Sequence, residues 1–231
     1  MRRDIKRLEA DSSKLGKLTF AQVCALTSLA ALVTDLNCTV IAPDYPLAPR
    51  HTVDDAFAML DQLYRELLVT IQPENLVVMG DSAGGGLTLA LAQKLRDDGL
   101  PQPAHLTLLS PWLDVTLVNP EVAPLVKQDP MLEPVSLKAA GLAWAGKRLP
   151  TDPLVSPIYG SLKGLAPISL FTGTHDLLFA DCRKLQAQAA AQNIPIDYHQ
   201  AEGMLHVWML IPTPEAKLAV AQIKAGLPRP V

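Results

Sequence analysis

Residues 76–85 read Leu-Val-Val-Met-Gly-Asp-Ser-Ala-Gly-Gly. The short apolar run at 76–80 predicts a buried strand, and the apolar periodicity from Ala83 to about Asp98 predicts a helix. Between them, residues 80–84 carry the pattern G-x-S-x-G. A strand, a sharp turn and a helix in direct succession form the context in which this pattern exposes a serine at a helix N-terminus.

The turn itself predicts chemistry at Ser82. Reversing the chain within a few residues is expected to force Ser82 into a strained backbone conformation. Side chains two positions before and after it would collide, so glycine is expected to be required at both Gly80 and Gly84. The Ser82 hydroxyl then lies where the helix dipole and the N–H of Ala83 can stabilise negative charge. Ser82 is therefore a candidate nucleophile and Ala83 a candidate oxyanion-hole donor.

Strand and helix patterns alternate along the rest of the chain. Alternation of this kind is typical of βαβ units and predicts an α/β fold, with a mostly parallel sheet and helices on both faces. In such sheets, functional sites lie beyond the carboxyl ends of the strands. Five strands are recognisable, at residues 38–42, 76–80, 105–109, 168–171 and 196–199, and a helix at residues 20–36 precedes them.

A serine nucleophile needs a base and a group that orients the base. In folds with this turn the chain order is serine, acid, histidine. His206 is the only histidine on a loop after the last predicted strand, which makes it the candidate base. Asp176, just beyond the fourth strand, is the favoured acid, while Asp114 beyond the third strand stays open as an alternative. Asp181 is expected on a solvated helix face.

Composition excludes some classes of binding partner and indicates the cellular compartment. A net charge of −3 over 231 residues gives no electrostatic footprint for nucleic acid. Cys24, Cys38 and Cys182 are widely spaced, which favours a reducing compartment and argues against a zinc site or a disulfide framework. The uncharged stretch at 18–34 is short and interrupted by polar residues, whereas a membrane span needs about 20 apolar ones. We therefore expect a soluble cytoplasmic protein with no metal.

Five motifs in a fixed order resemble the hormone-sensitive-lipase-like branch of the α/β-hydrolases, the bacterial acetyl-esterase and lactone-hydrolase group. Several ordered motifs are far more specific than one. The resemblance implies an α/β-hydrolase fold and a serine carboxylic-ester hydrolase without metal or organic cofactor. It makes Ser82 the nucleophile, Asp176 the orienting acid and His206 the base. The motifs are Asp-Tyr-Pro-Leu-Ala-Pro at 44–49, the glycine-rich turn at 80–85, Asp-Pro-Leu-Val-Ser-Pro at 152–157, Asp-Leu-Leu-Phe-Ala-Asp at 176–181 and Gly-Met-Leu-His-Val-Trp at 203–208.

The implied substrate is a small hydrophobic ester or lactone that is cleaved through an acyl-enzyme. Trp112, Met131 and Leu132 lie on loops near the strand ends and are predicted to line its pocket, with ordinary packing as the alternative. Family enzymes often dimerise, so a homodimer is an open expectation. Neither nucleic acid nor a membrane is expected as a partner.

One family motif is missing. The family carries an HGGG segment that supplies two more oxyanion donors, but the corresponding place here falls at residues 13–16, Ser-Lys-Leu-Gly. We therefore expect an N-terminally truncated fold with weak activity, because losing one donor costs about 10²–10³ in kcat. The strands at 38–42 and 76–80 must then pair directly or leave an unpaired edge. A non-catalytic fragment or binding module that retains the scaffold is the alternative.

The chain divides into two parts in this interpretation. Residues 1–19 carry six Lys or Arg and three Asp or Glu, and they are predicted to be a poorly ordered basic segment. Residues 20–231 form one α/β-hydrolase domain with a cap-side insertion at about 111–160.

Overall fold

The structure is a computed structural model that describes residues 5–7 and 33–227. It contains two compact units. One unit comprises residues 1–45 and 209–225, and the other comprises residues 46–208 and 226–231.

The first unit contains a small antiparallel sheet. Strand β1 (Ile5–Arg7) pairs with strand β2 (Ile41–Pro43), and Ile5 lies opposite Pro43. The predicted strand at 38–42 is therefore shorter and shifted, and its expected place in the parallel sheet is wrong for the described residues, because its partner is β1. Of the predicted basic segment 1–19 and the predicted helix 20–36, only residues 5–7 and 33–36 are described, and the latter are helical.

The second unit contains a four-stranded parallel sheet whose strands lie in chain order. This arrangement, with its crossover helices, confirms the predicted α/β fold. All four strands are present within two residues of their predicted bounds. The elements are α1 (Val53–Leu68), β3 (Val77–Asp81), α2 (Ala83–Asp97), β4 (His105–Leu109), α3 (Val122–Leu125), α4 (Pro134–Ala145), β5 (Ile168–Gly173), α5 (Phe179–Ala191) and β6 (Ile196–Ala201). Helix α6 (Pro214–Gly226) belongs almost entirely to the first unit, which includes residues 209–225.

The register brings the carboxyl ends of the four strands to one edge. Asp81 lies opposite Leu109, Leu109 opposite Phe171, and Gly173 opposite Ala201. The loops that follow β3, β5 and β6 therefore begin side by side, and these loops carry the predicted nucleophile, acid and base.

The two central strands of the sheet are shielded from solvent on both faces. Every residue of β4 and β5 is buried, as expected when structure covers both sides of a parallel sheet. Leu108 and Leu170 pack with Leu89 of α2 and Leu185 of α5 in the largest apolar cluster. Each such side chain contributes about 1.5–3 kcal/mol by burial, which makes the sheet a rigid base for the loops at its edge.

Local sequence signals account for the start of α1. Thr52 is its N-cap, and the backbone N–H of Thr52 donates to Oδ2 of Asp55 over 2.8 Å, as part of a capping box. Val53, Phe57 and Leu60 follow at helical spacing and are all buried. The apolar stripe of α1 therefore faces the core.

Strand β3 has one strand neighbour, β4, among the described residues. The expected direct pairing of the strands at 38–42 and 76–80 is not found within residues 33–227. Val77 at the start of β3 is 36% exposed, in contrast to the fully buried residues of β4.

Candidate active site

Ser82 occupies a sharp turn between the last residue of β3 and the first residue of α2. Its backbone angles are φ 53° and ψ −119°, and the positive φ is costly for a residue with a side chain. The N–H groups of Gly85, Gly86 and Trp112 donate to its carbonyl oxygen over 2.8–3.2 Å. These bonds hold the strained turn that the sequence pattern predicts.

Glycine is required at only one of the two positions that the pattern singles out. A Cβ on Gly80 would lie 2.1 Å from the carbonyl oxygen of Gly84, so no side chain fits there. A Cβ on Gly84 would meet nothing within 4 Å, so the steric requirement expected at this position is wrong. Gly84 approaches Gly80 with its carbonyl group, while its own Cα faces open space. Another close approach falls at Gly86, whose Cβ would lie 2.1 Å from the carbonyl oxygen of Trp112.

Three side chains from three loops form one hydrogen-bonded chain at the carboxyl ends of the strands. Oγ of Ser82 lies 2.9 Å from Nε2 of His206, and Nδ1 of His206 lies 2.9 Å from Oδ2 of Asp176. An ionised carboxylate can only accept a hydrogen bond, so Nδ1 carries the proton toward Asp176. Nε2 is then free to accept the hydroxyl proton of Ser82. The fold thus brings together the three residues that the sequence analysis selects.

The acid and the base are shielded from solvent. Asp176 is fully buried and His206 is 5% exposed. The second carboxylate oxygen of Asp176, Oδ1, accepts the backbone N–H of Leu178 over 2.8 Å. Each oxygen therefore has a donor, which offsets the cost of burying the carboxylate. The interaction between the two side chains is only weakly screened in this setting.

Backbone contacts hold the loop after β6 in position. The N–H of His175, on the loop after β5, donates to the carbonyl oxygen of Met204 over 3.0 Å. The N–H of Val207 donates to the hydroxyl oxygen of Ser110, directly after β4, over 3.1 Å. The loop that carries the base is therefore bonded to the loop after β5 and to the loop after β4.

Asp114, the alternative acid, is fully buried but bonded elsewhere. Its Oδ1 accepts the backbone N–H and the hydroxyl of Thr116, over 2.9 and 2.6 Å. Its Oδ2 accepts the hydroxyl of Tyr159 over 2.8 Å. Both oxygens have partners, and His206 is bonded to Asp176, so the geometry favours Asp176.

Asp181 is only 1% exposed, so its predicted place on a solvated helix face is wrong. Its Oδ1 accepts the side-chain amide of Asn119 over 2.9 Å, while its Oδ2 is buried without a hydrogen-bond partner in the described part of the chain. Burial raises the pKa of Asp181 to about 6, and the hydrogen bond from Asn119 partly opposes that rise. Helix periodicity missed this because Asn119, 62 residues away, comes from the segment between β4 and β5.

A second polar group lies at the opposite end of the strands. Nε2 of His105, the first residue of β4, lies 3.0 Å from Oγ of Ser169, which donates to Oδ2 of Asp197 over 3.1 Å. Desolvation lowers the pKa of His105, and the carboxylate of Asp197 partly opposes that effect. This group lies at the amino ends of the strands, whereas Ser82 lies beyond the carboxyl end of β3, so the length of the strands separates the two.

The predicted pocket residues all lie in the segment between β4 and β5. Trp112 and Leu132 are partly buried and pack against an apolar cluster that includes Leu177 and Phe179. Met131 is 51% exposed. Packing alone accounts for Trp112 and Leu132, so contact with a substrate stays a prediction for all three.

Asp129 is a buried residue that contacts the site and that the sequence analysis did not select. It is 7% exposed, and its carboxylate accepts the backbone N–H of Leu177, the residue after Asp176. The sequence Asp-Pro-Met-Leu at 129–132 is a turn signal that could have drawn attention to it.

The described part of the chain contains neither a cluster of metal-ligating side chains nor a membrane-spanning helix. Within it, no three or more His, Cys, Asp or Glu side chains come together in a way that could hold a metal ion. Residues 5–7 and 33–227 also include no helix with the length and apolar character needed to cross a membrane.

Sequence similarity to known proteins extends over most of this chain. A family model described as "alpha/beta hydrolase fold" matches residues 21–210. The protein LipR of Mycobacterium tuberculosis is 35% identical over 201 residues, which are 86% of this chain and 65% of LipR. An esterase of Acinetobacter venetianus is 33% identical over 207 residues, covering 86% of this chain and 68% of that esterase. The chain thus spans about two thirds of the length of these relatives.

A solved structure agrees in fold and in sequence. The crystal structure of an esterase from the bacterial hormone-sensitive lipase family is 31% identical, with a TM-score of 0.84. The match covers 91% of this chain and 71% of that esterase. On the combined evidence of sequence, fold and strand-edge geometry, the chain belongs to the α/β-hydrolase fold family and, within it, to the hormone-sensitive-lipase group.

Proposed function

We propose that this chain is a serine ester hydrolase that acts on small hydrophobic esters or lactones. The observation that carries the proposal is the hydrogen-bonded chain from Ser82 through His206 to Asp176. The names of the relatives, among them an esterase of Acinetobacter venetianus, give independent support.

In the first step, Nε2 of His206 takes the hydroxyl proton of Ser82 while Oγ attacks the carbonyl carbon of the ester. The imidazole becomes positively charged, and the buried carboxylate of Asp176, 2.9 Å from Nδ1, stabilises that charge. The proton moves only along an existing 2.9 Å contact, so little reorganisation is needed.

The carbonyl oxygen becomes an oxyanion at this point and needs donors. Ala83 is the first residue of α2, so its N–H has no acceptor within the helix and points outward with the positive end of the helix dipole. We assign it as an oxyanion-hole donor. Because the sequence contains no HGGG segment, we expect slow turnover, with a deficit of about 10²–10³ in kcat for each missing donor.

The tetrahedral intermediate then collapses. His206 returns its proton to the leaving alcohol oxygen, the C–O bond breaks, and the acyl group stays on Oγ of Ser82. A water molecule then gives a proton to Nε2 of His206 and attacks the acyl carbon. The bond between that carbon and Oγ of Ser82 breaks, His206 returns the proton to Oγ, and the acid is released. With a lactone, the alcohol remains part of the acyl chain and leaves with it in the second half of the cycle.

The direct test measures hydrolysis of p-nitrophenyl acetate, p-nitrophenyl butyrate and a simple lactone. We expect hydrolysis by the parent protein to fall to the uncatalysed rate in Ser82→Ala and to persist in Ser161→Ala, a control at an exposed serine. Covalent labelling by a fluorophosphonate should likewise depend on Ser82. If the parent and Ser82→Ala give equal rates and neither is labelled, the proposal fails and the non-catalytic alternative stands.

A further inference from the structure

Asp129 lies in the segment between α3 and α4 and bonds to two separate loops. Its Oδ1 accepts the backbone N–H groups of Met131 and Leu132 over 2.7 and 3.0 Å, which closes its own turn. Its Oδ2 accepts the backbone N–H of Leu177 over 2.8 Å, across 48 residues of sequence. The residue is 93% buried, so these bonds have little competition from water.

The bond to Leu177 acts directly on Asp176, the acid that is hydrogen-bonded to His206. The N–H of Leu177 belongs to the peptide group that joins Asp176 to Leu177, and a peptide group is planar. Holding that N–H therefore restricts the orientation of the Asp176 backbone and, with it, the direction of the Asp176 side chain. The next N–H, that of Leu178, bonds to Oδ1 of Asp176 itself. Two consecutive amides of the loop are thus bonded to two different carboxylates.

A carboxylate is the side chain that this arrangement requires. It offers two oxygens at a fixed separation, so Asp129 serves its own turn with one and the loop after β5 with the other. An amide of the same shape offers only one oxygen, and its NH₂ group would face an N–H of one of the two loops. Hydrogen bonds to a buried charge are also stronger than bonds between neutral groups. Asn at this position should therefore release one loop.

From this geometry we infer that Asp129 is a positioning residue, one that holds the loop of Asp176 and so keeps Asp176 aimed at His206. The inference rests on the proposed function, because positioning matters for catalysis only if the three residues act together. It also implies that the turn containing Met131 and Leu132 and the loop of the catalytic acid move as one body.

The kinetic test compares Asp129→Asn with Ser156→Ala. Ser156 is a fully buried control: its Oγ accepts the N–H of Val115 and donates to the carbonyl oxygen of Pro150, but it makes no bond to the loop after β5. Both variants should lower Tm. We expect only Asp129→Asn to lower kcat, by about 10- to 100-fold, with KM changed less than about threefold. A loss confined to KM, or an equal loss of kcat in the control, would overturn the inference.

A spectroscopic test does not depend on turnover. The proton on Nδ1 of His206, bonded to a buried carboxylate, should give a low-field ¹H NMR signal that His206→Gln removes. We expect this signal to shift or broaden in Asp129→Asn and to stay in place in Ser156→Ala. An unchanged signal in Asp129→Asn overturns the inference even if the parent hydrolyses no ester. Inactivity of the parent, in contrast, counts against the proposed function alone.

Asp129→Ser covers the case in which Asp129→Asn does not fold. A serine hydroxyl can still close the local turn but is too short to reach Leu177 as well. It should give the same change in the NMR signal and the same loss of kcat. A folded Asp129→Ser variant that matches the parent in both measurements would refute the role of the second oxygen.

Discussion

Nδ1 of His206 lies 2.9 Å from Oδ2 of Asp176, and this contact joins two loops that are 30 residues apart in sequence. Both side chains are buried, and hydrogen bonds between the loops hold their backbones. The imidazole is therefore oriented before any substrate arrives, with its other nitrogen on the hydroxyl of Ser82. Pre-orientation of this kind lowers the cost of forming the charged imidazole during the reaction.

The choice between the two candidate acids can be tested by amide substitution. Asp176→Asn should lower ester hydrolysis by up to about 10⁴-fold, because an amide that donates to the ring favours the wrong tautomer. Asp114→Asn should destabilise the protein, because it weakens the hydrogen bonds that the carboxylate accepts from Thr116 and Tyr159. The folded fraction of this variant should keep most of the activity. The check is kcat for p-nitrophenyl butyrate alongside thermal unfolding. Comparable losses of kcat in both variants would contradict the assignment of Asp176.

The glycines of the turn provide a matched pair. Gly80→Ala should prevent folding or strongly destabilise the protein, because its Cβ would lie 2.1 Å from the carbonyl oxygen of Gly84. Gly84→Ala meets no atom within 4 Å and lies in the first turn of α2, so it should be neutral or stabilising by about 0.5–1 kcal/mol. Urea unfolding measures both. Equal destabilisation by the two substitutions would show that the turn is packed differently.

Asp181 should make the free energy of unfolding fall as pH rises. Burial raises its pKa in the folded state to about 6, above the value of 3.8 expected for the unfolded chain. The folded protein therefore binds the extra proton between these values, and stability is lost from about pH 4 to pH 6. Relative to the parent, Asp181→Asn should gain up to about 3 kcal/mol between pH 4 and pH 7. Urea unfolding across that range is the measurement, and a difference that does not vary with pH would contradict the prediction.

His105 should act in the opposite direction. Desolvation lowers its pKa in the folded state below 6.5, so the unfolded chain takes up the proton first as pH falls. Its contribution to stability is complete above about pH 6.5 and is lost below that pH. His105→Gln should remove this acid sensitivity, whereas His51→Gln, at a side chain that is 51% exposed, should not. Unfolding curves at pH 5, 6 and 7 distinguish the two variants.

Prediction from sequence worked best where the signal was local. The strand at 105–109 and the strained turn at Ser82 each depend on residues within a few positions of one another. His206 and Asp176 were found by a rule of chain order, which the topology of the sheet enforces. Because parallel strands end at a common edge, residues just after them are brought together whatever the intervening sequence.

Three of the failures share one cause. Asp181 accepts a hydrogen bond from Asn119, the strand at 38–42 pairs with residues 5–7, and Asp129 bonds to Leu177. Each contact joins segments separated by tens of residues, and no periodicity within either segment encodes it. The mistaken steric argument for Gly84 is different in kind, since it depended on which atom of that residue approaches Gly80.

Local propensity and the order of the parallel strands were enough to predict the fold class, the strand–turn–helix at Ser82 and His206 as the base, but they left Asp114 open beside Asp176. The packing of distant segments favours Asp176, and it also establishes which carboxylates are buried, which oxygen each one uses and which loops they hold together. A hydrogen bond requires its donor and acceptor to be placed to within a few tenths of an ångström, and here the two atoms come from distant segments. Asp129, unremarkable in the sequence, acquires its role only when its segment is packed against the loop of Asp176.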